Sequence, residues 1–169
     1  WWSGYDSFLC RLYWKRHRHT LVRCAMICKD IYIEKYDWLV HCFFAVDTYY
    51  TRSILATLNA LGCSNSIYDR VSDKLRKNDL NTGFTYSNKR KQESLFVVSI
   101  ASSGAEYFNS ISHELRHLCD DIASVYDIPT NGEEIAYLTG DVAMEMKDVL
   151  SVLICDCQCC QTKRYKKIR

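Results

Sequence analysis

His113-Glu114-Leu115-Arg116-His117 is the stretch on which the reading of this chain turns. On a helix, residues four apart project from one face, roughly 40° apart around the axis. Both imidazoles can then take hold of one Zn²⁺ from the same side. The glutamate between them points to the flank of the metal, where it can accept a proton from water that the metal has acidified. The pattern predicts His113 and His117 as ligands of one catalytic zinc and Glu114 as the general base.

The flanks supply the setting. Ser94-Leu95-Phe96-Val97-Val98-Ser99-Ile100-Ala101 is apolar and rich in β-branched residues, which predicts a buried strand. A Ser102-Ser103-Gly104 turn follows, and Tyr107 to Ile111 leads into the histidines. Leu118, Ile122 and Val125 continue an apolar stripe at helical spacing. The helix should stop near Asp127-Ile128-Pro129, because proline disfavours helical geometry in the residue before it. Thr130-Asn131-Gly132 reads as a loop in which Thr130 or Asn131 caps a second helix opening on Glu133-Glu134.

A catalytic zinc needs a third protein ligand. Glu133 and Glu134 lie sixteen and seventeen residues past His117. Glu133 is preferred, because Ala136 one turn on is small enough to let the two helices approach, and Glu134 is the alternative. Both acids would also suit a helix N-terminus for its dipole alone. Asp120 and Asp121, one turn beyond His117, are placed either to orient a ligating imidazole or simply to face solvent. Tyr137 and Arg116 are the candidates for stabilising a developing oxyanion.

From about Ile31 to Met146 the chain resembles small zincin-like proteins of bacteria and their phages. The resemblance rests on Tyr36-Asp37-Trp38, Gly83-Phe84-Thr85-Tyr86-Ser87, the run Asn109 to His117, and Glu133-Glu134-Ile135-Ala136-Tyr137-Leu138-Thr139-Gly140. Metzincins are disfavoured, since Asp120 and Ala123 stand where that class carries a glycine and its third ligand. Similarity to gluzincin-type peptidases implies His113, His117 and a helix-borne glutamate, aligned with Glu133, as ligands, and Glu114 as base. It implies a zinc-dependent hydrolase acting on a protein or peptide. A zinc-binding zincin fold without catalysis, acting as a regulatory or interaction protein, is the alternative.

The remainder reads as α+β: a small mixed or antiparallel sheet packed against the His-Glu helix and a following ligand-bearing helix, with all helices on one face. Ile31–Tyr36 and Trp38–Val46 are expected strands, Thr51–Leu61 and Ser66–Lys77 expected helices, and Phe84–Tyr86 a short strand. The strand at 94–101 is where an extended peptide could add, were its edge exposed.

We divide the chain into a basic, aromatic N-terminal extension (1–29), a zincin-like domain (30–150) and a Cys-rich basic tail (151–169). Arg11, Lys15, Arg16, Arg18 and Arg23 are interleaved with Leu12, Tyr13 and Trp14, a pattern some RNA-binding segments share. A solvated amphipathic helix or a misread leader is the preferred reading, and no nucleic-acid partner is expected. Cys155-Asp156-Cys157-Gln158-Cys159-Cys160 reads as a soft-metal thiolate cluster or, since it lacks the second pair of a zinc knuckle, equally as a disordered tail or a lipidated patch beside basic residues.

The 169 residues, 48% of them hydrophobic, suit one domain with an ample core, and a formal charge of +2 favours neither acidic nor basic partners. No apolar run reaches the length of a membrane span, and no secretory signal is read. Of the ten cysteines, Cys10, Cys24, Cys28, Cys42, Cys63 and Cys119 are spread through apolar or loop contexts, and most of these are expected to be small buried side chains. That pattern points to a reducing, cytoplasmic setting.

Overall fold

Trp38–Val46 is the apolar run that a central strand requires, and it forms the middle of the sheet. The computed structural model describes residues 27–46 and 51–155. The basic segment around 11–23, and the cysteine cluster and basic tail beyond Cys155, lie outside the described residues. Strands β1 (Ile27–Ile33), β2 (Trp38–Val46), β3 (Gly83–Asn88) and β4 (Glu93–Ser99) form one sheet in the order β1-β2-β4-β3. β1 runs antiparallel to β2 and β3 antiparallel to β4, whereas β2 and β4 are parallel. With helices α1 (Thr51–Ala60), α2 (Asn65–Lys77), α3 (Gly104–Val125), α4 (Glu133–Glu145) and α5 (Lys147–Ile154), the architecture is α+β around a mixed sheet.

The helices cover both faces of this sheet, not one. A parallel β2–β4 pair needs a crossover connection, and the chain between them, carrying α1 and α2, supplies it. Phe43, Val46, Leu95 and Val97 pack with Ile54, Leu58, Leu61, Val71 and Leu75 of that crossover. Val40, Cys42, Phe44, Phe96 and Val98 face the other way, against Ile111, Leu115, Leu118 and Ile122 of α3 and Leu138 and Val142 of α4. Strands buried on both faces read as continuous apolar runs, which is what 95–98 and 42–46 are.

Several details differ from the sequence expectation. β1 begins at Ile27, and Glu34–Tyr36 is a 3-10 turn, closed by Asp37 in the left-handed region (φ 44°). β4 is an interior strand, so the sheet edge beside α3 is β3. The cap of α4 is Gly132, with no side-chain hydrogen bond, rather than Thr130 or Asn131.

The helix α3 is fixed at both ends. Ser103 Oγ accepts the Glu106 N–H at 3.2 Å, and Glu106 Oε2 reaches back to the Ser102 N–H at 3.0 Å, a variant of the capping box. At the far end Asp127 turns left-handed (φ 54°) and the Ile128 N–H reaches the Ala123 carbonyl at 3.0 Å, a Schellman closure just before Pro129. The α3 residues Tyr107, Ile111, Leu115, Leu118 and Ile122 are buried against the sheet.

One further tie joins α3 to the sheet. β2 bulges against β4 between Phe43 and Val46, and Ala45 adopts φ 56° there. The Ala45 N–H, displaced from the ladder by the bulge, donates to the Tyr107 hydroxyl at 2.9 Å in the interior. Tyr107→Phe should strand that buried donor at a cost of about 1–3 kcal/mol. Chemical denaturation measures it, and a curve superimposable on wild type would deny the bond any weight. Among the described residues no helix is long and apolar enough to cross a membrane.

Candidate functional site

The spacing of the motif on α3 separates its three polar members by burial. Glu114 falls on the apolar stripe, between Ile111 and Leu118, and is 2% exposed. His113 and His117 fall one residue to the side, on an exposed flank. Their Nε2 atoms converge to 3.2 Å, with the rings edge to face at 81°. Two ligands at about 2.05 Å from one tetrahedral zinc would stand about 3.3 Å apart. The pair therefore already has the separation that a shared metal demands.

The buried carboxylate of Glu114 is held from the sheet edge. Thr82 Oγ1 donates to its Oε1 at 3.2 Å. Thr85 Oγ1 lies 3.0 Å from its Oε2 and 3.2 Å from the Glu114 carbonyl, two acceptors for one hydroxyl proton. These threonines come from the loop before β3 and from β3 itself. Period-2 alternation turns Gly83, Thr85 and Ser87 towards α3, while Phe84 and Tyr86 pack on the α1–α2 side. Such partners are what a buried acid needs.

A cleft of about 440 Å³ opens along this seam. His113, Glu114, His117, Asp120 and Asp121 line one wall; Thr82, Gly83 and Thr85 line another; Lys74 of α2 reaches it from across the sheet edge.

The other expected residues are not gathered here. Asp120 Oδ2 accepts from Arg116 Nε at 2.9 Å, and Asp121 pairs with Lys89 at 3.1 Å. Among the described residues neither hydrogen-bonds to an imidazole; both are cleft-lining acids with cationic partners. Tyr137 is 67% exposed on α4 and outside the cleft, and Arg116 is occupied by Asp120, so neither is aimed at a reacting oxygen.

The candidate third ligands stand apart from the two histidines. Among the described residues, no group of three or more His, Cys, Asp or Glu is close enough to hold a metal. Glu133 and Glu134 are exposed at the start of α4, and Glu134 lies 4.0 Å from Lys35. The reason is rotational. α4 buries Ile135, Leu138 and Val142, and at about 100° per residue Glu133 lies roughly 170° from the centre of that stripe. Ala136, expected to let the helices approach, is exposed. Cys119 is fully buried on α3, and desolvation pushes its thiol up to about 11, so it behaves as a small apolar side chain.

Comparison with protein-family models, with curated proteins and with solved structures finds no match for this chain. The functional reading rests on the site itself.

Thr82, Thr85 and Lys74 were not reached from the sequence. The threonines carried a signal: Gly83-Phe84-Thr85-Tyr86-Ser87 alternates small polar with aromatic residues, which sets its hydroxyls on one face. Lys74 carried none.

Proposed function

We propose that this chain is a zinc-dependent peptidase, with His113 and His117 holding the metal and Glu114 acting as general base. The observation that carries the reading is the 3.2 Å convergence of the two Nε2 atoms beside a buried carboxylate in the same cleft. What zinc supplies when bound is Lewis acidity, polarising a carbonyl and acidifying water. Glu114 takes the proton of the attacking water and delivers it to the departing amine. Thr82 and Thr85 keep its carboxylate from rotating, so the base stays in one position while the substrate comes and goes. Peptide is the favoured substrate because β3, an edge strand, borders the cleft, and an extended chain can pair with such an edge.

The second reading, a zinc-binding protein without catalysis, draws support from the missing third ligand among the described residues. One experiment addresses both. Elemental analysis of the purified chain should find one zinc, lost in His113→Ala and His117→Ala, together with hydrolysis of a casein-derived peptide mixture. Glu133→Ala reads out the third ligand: weakened affinity assigns it to Glu133, and wild-type affinity excludes Glu133 from the ligand set. A chain that takes up no zinc would overturn the proposal, and a zinc-loaded chain that cleaves nothing would select the non-catalytic reading.

A further inference from the structure

The charges along the cleft are not evenly matched. Asp121 is paired with Lys89 and Asp120 with Arg116. Lys74 is different. It lines the same cleft as His113, Glu114 and His117, yet among the described residues its side chain forms neither an ion pair nor a hydrogen bond. Arg70 and Lys77 stand one turn before and after it on α2, within about 60° around the axis. They are exposed, and neither has a carboxylate partner among the described residues. Three cations without an ion pair among the described residues thus lie on one side of α2, with Asp73 at neighbour spacing to Arg70 and Lys77, and the middle one reaches the site.

We infer that Lys74 is a specificity-determining residue that binds a substrate carboxylate, so that the cleft selects peptides carrying a carboxylate next to the bond presented to His113, Glu114 and His117. A lysine stem is long and flexible enough to meet a carboxylate borne by an extended chain lying along β3. The ligand carries few negative charges, because Glu114, Asp120 and Asp121 line the same cleft and would repel a polyphosphate backbone. A peptide with an acidic side chain, or with its terminal carboxylate at this position, meets both requirements. The inference rests on the peptidase reading for the use of the site, but its test does not require turnover.

The test uses the full chain loaded with zinc. Glu114→Gln is titrated by fluorescence anisotropy with labelled peptides that differ only in Asp or Asn at one position, each with a free or an amidated C-terminus. The carboxylate-bearing member of a pair should bind about tenfold more tightly or better, with a preference that fades as salt rises. Adding Lys74→Glu should abolish or invert the preference, and Lys74→Gln should abolish it. Circular dichroism checks that each variant is folded. Loss of the preference on Asp→Asn assigns the carboxylate to a side chain, and loss on amidation assigns it to the terminus. Equal binding of both members, a preference that survives in both Lys74 variants, or tighter binding of a single-stranded oligonucleotide than of any peptide would overturn the inference. If wild type cleaves none of the peptides bound in a Lys74-dependent way, the peptidase reading falls and the carboxylate site stands. If wild type cleaves peptides without any such preference, the peptidase reading stands and the carboxylate site falls.

Discussion

Glu114→Gln is expected to lower peptide hydrolysis by about a thousandfold while zinc content stays at the wild-type value. General-base catalysis is typically worth about 10²- to 10⁴-fold, and the substitution removes the proton acceptor while keeping the shape of the side chain. The separation of the two readouts follows from the geometry, because Glu114 points into the seam with β3 whereas the imidazoles converge on the exposed flank. The amide can still accept one threonine hydroxyl, and the other can turn to accept from the amide. Stability should therefore change by only about 1 kcal/mol. Glu114→Ala would differ in leaving both Thr82 and Thr85 without their carboxylate partner, at a cost of about 1–3 kcal/mol. Steady-state kinetics with elemental analysis measures the first effect. Undiminished hydrolysis in the glutamine variant would remove Glu114 from the mechanism.

Gly83→Ala should be among the most damaging single-methyl changes in the chain. Gly83 opens β3 at φ +150°, a region that L side chains rarely adopt, and a Cβ there would lie 2.0 Å from the Val97 carbonyl oxygen. The obstacle is backbone of the neighbouring strand, also 3.0 Å away at the carbonyl carbon, so no side-chain rotation relieves it. Either β3 lifts from β4 or the residues from Leu80 to Thr85 rebuild. Both outcomes move Thr82 and Thr85 off Glu114. We expect a loss of about 3 kcal/mol or more in unfolding free energy, in the range of serious overpacking. Hydrolysis should fall further than the folded fraction explains. Gly140→Ala is the internal comparison: on α4 an added Cβ meets nothing within 4 Å, and the exchange should stabilise the helix by up to about 1 kcal/mol. Denaturant unfolding of the two variants side by side decides the matter, and equal midpoints would refute the close approach at Gly83.

Much of the scaffold was legible because local chemistry and global packing agree in it. The stop of α1 at Gly62 (φ 77°) and the end of α3 before Pro129 follow from residues whose backbone preferences are strong. The apolar runs at 38–46 and 94–99 announced buried strands. Their partners were not legible: whether β2 pairs with β4, and in which direction, depends on where the crossover goes. A continuous apolar run says only that both faces are covered, and the expectation of helices on one face passed over that hint. The His113–His117 pairing and the burial of Glu114 follow from helical spacing alone, since Glu114 shares its stripe with Ile111 and Leu118. The position of Glu133 does not, because the rotation of α4 is decided by which of its faces is most apolar. Ile135, Leu138 and Val142 outweigh the acids before them. Lys74 reaches the cleft through the tertiary arrangement of α2 around the sheet edge, which no local pattern encodes.

Placing both threonines on β3 and its preceding loop has a consequence for how the site comes into being. Every cleft residue named above except Lys74 lies within forty consecutive residues, Thr82 to Asp121, which run as a hairpin followed by one helix. Contacts of such short sequence separation close with little loss of chain entropy and form early. The parallel β2–β4 pairing joins Leu39 to Glu93 across the whole crossover, a non-local contact whose closure costs more chain entropy. The base and its two hydroxyl clamps thus belong to one contiguous segment, independent of the crossover. Lys74, the one contributor from the crossover, takes its place in the cleft only when that long loop has closed.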